Sequence, residues 1–226
     1  LIYSIRHFEI LHPEKEEMQV NKTYMMTLCG MGVPMGLQYS ITAIGSVILQ
    51  TAVNGLGSVV VASMTAGGKL SMFFCCPFDA FGSTMATYAG QNLGAGKLDR
   101  VTKGMVQCSF VAAGYSVVAA VVMILFGKSF ALLFVDSTEV EIIANVAKLL
   151  IINSLFFIPL ALVNIIRFAI QGLGFGKLAI FAGVAEMVGR SIVGFGFVAR
   201  FGFVAACLAS PIAWILADIF LIPAYA

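Results

Sequence analysis

Apolar residues run along this chain in blocks far longer than a soluble helix needs, and short polar islands separate the blocks. A membrane-spanning helix needs about 20 mostly apolar residues, and the pattern predicts six spans, at approximately 24–52, 58–93, 101–127, 137–168, 178–199 and 203–225. The predicted fold class is therefore an all-α membrane protein. Residues 1–5 read as the end of a preceding span and residues 6–22 as the one long polar stretch, so 1–23 connect that span to a six-helix unit at 24–226. Asn54-Gly55-Leu56-Gly57 marks a tight turn. The second span outruns the hydrocarbon core, and Pro77 is the expected kink. Asp99 is the expected N-cap of the third span, and Asp136 with Glu139 three residues on resembles a capping box for the fourth.

Composition turns this pattern into a choice of solvent. Of 226 residues, 60% are hydrophobic and only 11% charged, and the mean hydropathy is +1.00. Soluble domains carry about 25% charged residues. A soluble surface cannot be assembled from this sequence, so the lipid bilayer is the expected partner. The net charge of +2 offers nothing to nucleic acid. All five cysteines lie in apolar runs and read as buried small hydrophobes. The chain begins with Leu1 and stops at Ala226 inside an apolar block, so both ends read as cuts in a longer protein.

The distribution of cations gives an orientation. If 6–22 faces the cytoplasm, that side gathers Arg6, Lys15, Lys22, Lys97, Arg100, Lys103 and Lys177, against Lys128 and Arg200 opposite, with Lys148 some way into the fourth span. Catalytic chemistry finds little support. Gly96-Lys97 and Gly176-Lys177 lack the first glycine and the hydroxyl residue of a phosphate-binding loop. Both histidines, His7 and His12, sit in the polar stretch, and no Cys-x-x-Cys occurs. The expected protein is not an enzyme and carries no metal or organic cofactor. Gly-rich stretches such as Gly90 to Gly96 read instead as helix ends, and the Gly32/Gly36 and Gly90/Gly94 spacings as helix-packing surfaces.

Charges inside spans are costly, by about 2.5–3.5 kcal/mol on insertion scales, so Lys69, Asp79, Arg167, Glu186, Arg190 and Asp218 are the residues to explain. Glu186 and Arg190 share a helix face four residues apart and suit an internal ion pair or a substrate contact. Arg167 is expected to snorkel to the cytoplasmic side and Asp218 to lie at the interface. Lys69 falls near mid-membrane. Asp79 follows Pro77 by two residues, where freed carbonyls would be available to an ion or water. Gln38, Tyr39, Thr42, Gln50, Asn153, Asn164 and the Phe73–Phe74 pair are further cavity candidates.

The stretches "GVPMGLQYSITAIGSVILQTAVNGLGSVVVASMTAGGKL", "FDAFGSTMATYAGQNLGAGKLDRVTKG", "FAIQGLGFGK" and "EMVGRSIVGF" resemble, in order and spacing, the second six-helix half of the MATE (multidrug and toxic compound extrusion) transporters, helices seven to twelve. Pro34, Gly90, Gln91, Asn92, Gly94, Gly172 and Gly174 carry the motifs. The resemblance implies one lobe of a two-lobe, twelve-helix antiporter in the cytoplasmic membrane. It would export organic, often cationic, small molecules by alternating access, with H+ or Na+ as the coupling ion and an N-terminal lobe as the missing partner. Related folds that flip lipid-linked saccharides, and a non-transporting membrane scaffold, are the competing readings. Family members place a carboxylate near the positions of Gln38 to Thr42; this chain has no acid between Met18 and Phe78, nor between Ile142 and Gly172. The coupling carboxylate is then expected at Asp79 or in the other lobe.

Overall fold

The computed structural model describes residues 7–8 and 20–225; Arg6, His12 and Lys15 of the polar stretch lie outside them. Helix α1 spans Lys22–Asn54, α2 Ser58–Gly94, α3 Leu98–Ala131, α4 Val140–Ser154, α5 Phe157–Gly172, α6 Gly176–Ile192 and α7 Val198–Tyr225, with a π-helical segment at Val193–Phe197 joining α6 to α7. At 1.5 Å per residue, α1, α2 and α3 each exceed the roughly 30 Å hydrocarbon core.

Local chemistry explains where these helices start and stop. The side chain of Asn21 caps α1 by accepting from the N–H of Thr23 at 2.9 Å. Gly57, at φ 98°, turns the chain into α2. The ends of α2 and α5 are built alike. In the first, the Lys97 N–H reaches the Asn92 carbonyl at 2.8 Å and the Gly96 N–H that of Leu93 at 3.0 Å. In the second, Phe175 reaches Ile170 at 3.1 Å and Gly174 reaches Gln171 at 3.0 Å. This Schellman pairing needs a left-handed residue, and Gly96 (φ 68°) and Gly174 (φ 90°) supply it. Both glycine-rich stretches are thus helix ends.

Three local expectations are corrected. Asp99 lies in the first turn of α3, whose N-cap is Lys97. Asp136 does not cap α4, which starts at Val140 with Glu139 as N-cap and no side-chain cap bond; it folds onto Thr138, accepting from its N–H at 3.0 Å and its hydroxyl at 2.9 Å. The stretch 137–168, read as one span, is two helices bent by 54°. Pro159 accounts for the break: it lacks an N–H, and its ring would collide with the carbonyl four residues back, at Leu155, where α4 ends. By contrast α2 passes Pro77 as one helix. Tyr115 of α3 donates to the Phe74 carbonyl at 2.9 Å, in the turn where a proline frees acceptors.

The α6–α7 run is apolar over 50 residues, more than twice what one crossing needs. Gly202, at φ 59° and ψ −136°, cuts it; that conformation is open only to glycine. The chain doubles back there, and α7 packs on α6 so closely that a β-carbon at Gly189 would sit 2.9 Å from Ala213 Cα. With α4 and α5 as one bent rod and Gly202 as a turn, the described residues form six rods.

Phe78 and Phe157, both fully buried with ring centroids 5.3 Å apart, centre the larger core between α2, α3, α4 and α5. A smaller one joins the end of α1 to the π segment and the start of α7. Large apolar side chains such as Phe73, Phe110 and Leu133 are left exposed around the outside, as a lipid solvent allows.

Candidate functional site

The faces of α1 and α2 diverge to leave a cleft of about 590 Å³, lined by Leu28, Met31, Gly32 and Met35 of α1 and by Ser83, Ala86, Thr87 and Gly90 of α2. Each set falls at i, i+3, i+4 and i+7, one face of a helix. Phe168, Gln171 and Gly172 of α5 and Gly176 of α6 form the floor. Glycine makes this convergence possible. A β-carbon on Gly172 would run into the backbone of Ala86, and one on Gly90 would lie 3.4 Å from the Gly172 carbonyl. A β-carbon on Gly176 would make ordinary contact with Pro34 of α1, at 3.7 Å. Pro34, Gly90 and Gly172, some 140 residues apart at the extremes, are therefore neighbours in one helix-packing junction under the cleft. Gly94 has open space around it, and Gln91 is exposed. Asn92 is buried and donates to the Tyr88 carbonyl at 2.8 Å.

Gln171 also closes the inner end of the cleft, donating through Nε2 to Oε1 of buried Gln38 at 2.8 Å. Behind this pair a polar ribbon runs through the lobe. Thr42 lies one turn beyond Gln38, and its hydroxyl comes to 3.4 Å from where a Gly183 β-carbon would stand. Arg167 of α5 pairs with Glu186 of α6 at 3.1 Å and also binds Asn164 Oδ1. Arg190 takes the other Glu186 oxygen at 3.1 Å. Asp218 of α7 sits in the same field, with Glu186 as the charge it feels most. Arg167, Glu186, Arg190 and Asp218 are each less than 10% exposed. Arg167 and Arg190 share the Glu186 carboxylate, one on each oxygen, which is what makes that buried charge tolerable.

The ribbon is incompletely paired. Gln171 Oε1, Thr42 Oγ1, Arg167 Nε, Arg190 Nη1 and Asp218 Oδ1 are buried without a hydrogen-bond partner among the described residues; Asn153 Oδ1 is the sixth such atom and lies elsewhere. Each such group costs about 1–3 kcal/mol if left dry. Five in one place would consume roughly 5–15 kcal/mol, the stability of a whole domain.

The remaining sequence candidates separate. Asp79 is exposed on α2, one turn before Ser83 and two before Thr87, so the three form a stripe leading into the cleft. The opposite charge acting on it is Arg167. Lys69 is not beside it: Lys69 lines another cavity, about 460 Å³, with Phe134, Val135 and Asp136 of the α3–α4 connection. Asn153 bridges α4 to Ser71 of α2 at 3.5 Å, away from the cleft. Tyr39 is exposed, and Gln50 donates to Asn54 one turn on at 2.9 Å. Phe74 packs inward against Phe130 while Phe73 stays exposed.

Two expectations fail. Arg167 does not snorkel and Asp218 is not at an interface; both are buried in the ribbon. For Arg167 the signal was present in the sequence: Asn164, Arg167 and Gln171 stand at i, i+3 and i+7, one polar stripe on an otherwise apolar helix.

A family model described as MatE matches residues 34–196. The chain belongs to the MatE family. The probable multidrug resistance protein YpnP of Bacillus subtilis (strain 168) is 28% identical over 109 residues, covering 48% of this chain and 24% of that protein. The solved structure of MATE in complex with MaL6 superposes with TM-score 0.88 at 14% identity, covering 99% of this chain and 52% of its own. An outward-facing multidrug resistance MATE family transporter of the MOP superfamily gives 0.76 at 16% identity, over 86% of this chain and 43% of its own. At these identities the likeness is one of fold. The chain spans about half the length of the solved MatE proteins it matches, and its all-helical architecture is that of a multi-pass membrane protein of this family.

Proposed function

We propose that this chain is one lobe of a two-lobe MatE antiporter that exports organic, often cationic, compounds across the cytoplasmic membrane, with H+ or Na+ entry driving export. The observation that carries the reading is the α1–α2 cleft: apolar walls with two methionines, a glutamine floor, and a stripe of Thr87, Ser83 and Asp79 leading inward. Thioethers adapt to cargo of varied shape, and Asp79 is the one acid in α1 or α2. A second lobe facing α1 and α2 would close the cleft into a cavity, and rocking between the lobes would expose it to either side in turn.

The test is uptake of a fluorescent lipophilic cation into proteoliposomes holding the full-length protein, driven by a proton or sodium gradient. Asp79→Asn keeps the shape and removes the charge. Export should fall roughly tenfold, the equivalent of one lost charge-assisted contact of about 1.4 kcal/mol, while expression holds. Unchanged export by a well-expressed variant would remove Asp79 from the mechanism, and no gradient-driven dye movement by the parent would remove the antiporter reading. Orientation has its own check. Cysteines at Gly96 and Gly55 in a background without the native cysteines should label from the cytoplasm and from outside respectively.

A further inference from the structure

Five of the six unpartnered buried polar atoms among the described residues belong to the linked polar residues of the ribbon: Gln171 Oε1 at the cleft floor, Thr42 Oγ1, Arg167 Nε, Arg190 Nη1 and Asp218 Oδ1. Polar atoms in a packed interior are satisfied by protein or by ordered water. Here they include donors on α5 and α6 and acceptors on α5 and α7, with a hydroxyl on α1, which is the mixture a chain of waters requires. We propose that this ribbon is a water-filled file through the lobe, entered from the α1–α2 cleft at Gln171 and ending at Asp218, whose carboxylate takes up and releases a proton along it.

The charged groups around Asp218 fit that role. From α6 it feels Glu186, whose two oxygens are held by Arg190 of the same helix and Arg167 of α5. The nearest element of α1 contributes only uncharged Gln38 and Thr42. The one ionisable group from α4 near α7 is Lys148, which acts on Cys207, three turns before Asp218. Glu186 is held by both arginines, one on each oxygen. Asp218 has an oxygen with no partner, so it is the acid free to change state. A hydronium in the file passes one proton to the Asp218 carboxylate, leaving a neutral acid and a water; the reverse step returns it. The cluster then moves between balanced charge and one net positive charge.

This inference rests on the lobe interior and not on the transport reading, and its readout is spectroscopic, so the two fail separately. The protein in lipid nanodiscs is titrated between about pH 4 and pH 10 by infrared difference spectroscopy. A carbonyl band of a protonated buried carboxylic acid should appear in the parent and shift at once in heavy water. In Asp218→Asn it should be absent. Trp214, the only tryptophan in the sequence and one turn before Asp218 on α7, gives a second reading. Its emission, isolated by subtracting a Trp214→Phe variant, should follow the same titration and become flat in Asp218→Asn. Gln171→Leu at the mouth should keep the band and slow its response to heavy water by tenfold or more. A parent without a titrating acid band, a band that persists in Asp218→Asn, or an unchanged exchange rate in Gln171→Leu would each overturn the file.

Discussion

Helices α1 and α5 are both apolar and both carry polar side chains, yet the lobe treats them oppositely. Eleven of the sixteen residues of α5 are buried, against five of thirty-three in α1. The buried helix holds Arg167 and Asn164, and its charge is paired with Glu186 across to α6. The open helix carries no ionised side chain beyond Lys22 at its start, and its wall of the cleft is methionine, leucine and glycine. Charge is thus placed where partners surround it, and the surface facing outward is kept nearly neutral. Lipid or a second protein lobe can cover such a wall without stranding an ion, since an unpaired charge is the one thing neither can accept.

The sharpest way to break this contrast is to remove the partner on the buried side. Glu186→Gln leaves Arg167 and Arg190 facing each other without a counter-ion, and losing one member of a buried pair costs about 3–5 kcal/mol. Folded yield and thermal midpoint should collapse, and a Glu186→Asp variant should recover part of the loss. Near-parental stability in Glu186→Gln would mean that the arginines find other partners and that the ribbon is not the lobe's electrostatic centre.

Next in size is the junction beneath the cleft. Gly172→Ala drives a methyl into the backbone of Ala86, and backbone cannot yield as a side chain tip can, so about 1–3 kcal/mol should be lost. Gly94→Ala, in the same family motif as Gly90 but with open space around it and no positive φ, should be neutral within about 0.5 kcal/mol. Thermal denaturation of both variants in one lipid decides the matter; equal effects would show that the motif glycines do not serve the α2–α5 contact.

This pair also shows what was legible in the sequence. The helices, the glycine turns and the family are written in hydropathy and motif order, because each depends on residues close together in the chain. The contact between Gly172 and Ala86 is not, since both positions merely read as small. Arg167 and Asp218 were misplaced for a related reason. Distance from a span's end predicts depth, whereas the packing of α5, α6 and α7 decides which of these side chains turn inward. Pro159 is legible in the sequence, since the clash of its ring with the Leu155 carbonyl follows from spacing alone. Among membrane helices, faces toward lipid and toward core are equally apolar, so periodicity did not tell α1 from α5.

A smaller effect should sharpen the comparison within α1 itself, where the open face gives way to the ribbon. Thr42→Val keeps the shape and deletes the hydroxyl whose oxygen is buried without a protein partner. If water satisfies that oxygen, its loss should cost about 1 kcal/mol, leaving cation dependence of transport intact because no carboxylate stands on this helix. A stabilised Thr42→Val would mean the hydroxyl is dry.

The smallest effect lies at the wet end of the molecule, where a carboxylate is held by local geometry instead of by buried arginines. Asp136 is fully exposed, and the N–H and hydroxyl of Thr138 keep its carboxyl below the usual aspartate range. Because the folded value is the depressed one, the contribution of this turn is fully present above the ordinary aspartate value of about 3.9. It is lost as pH falls through the lower, folded value. The Thr138 amide resonance should therefore titrate with a midpoint below that ordinary value, in a region where the rest of α4 is unaffected. Asp136→Asn retains an acceptor oxygen, so the turn and the start of α4 at Val140 should persist while the pH response disappears. A Thr138 midpoint at or above the ordinary value would show that the Asp136 turn does not form. The α3–α4 connection beside Lys69 would then owe its shape to packing alone.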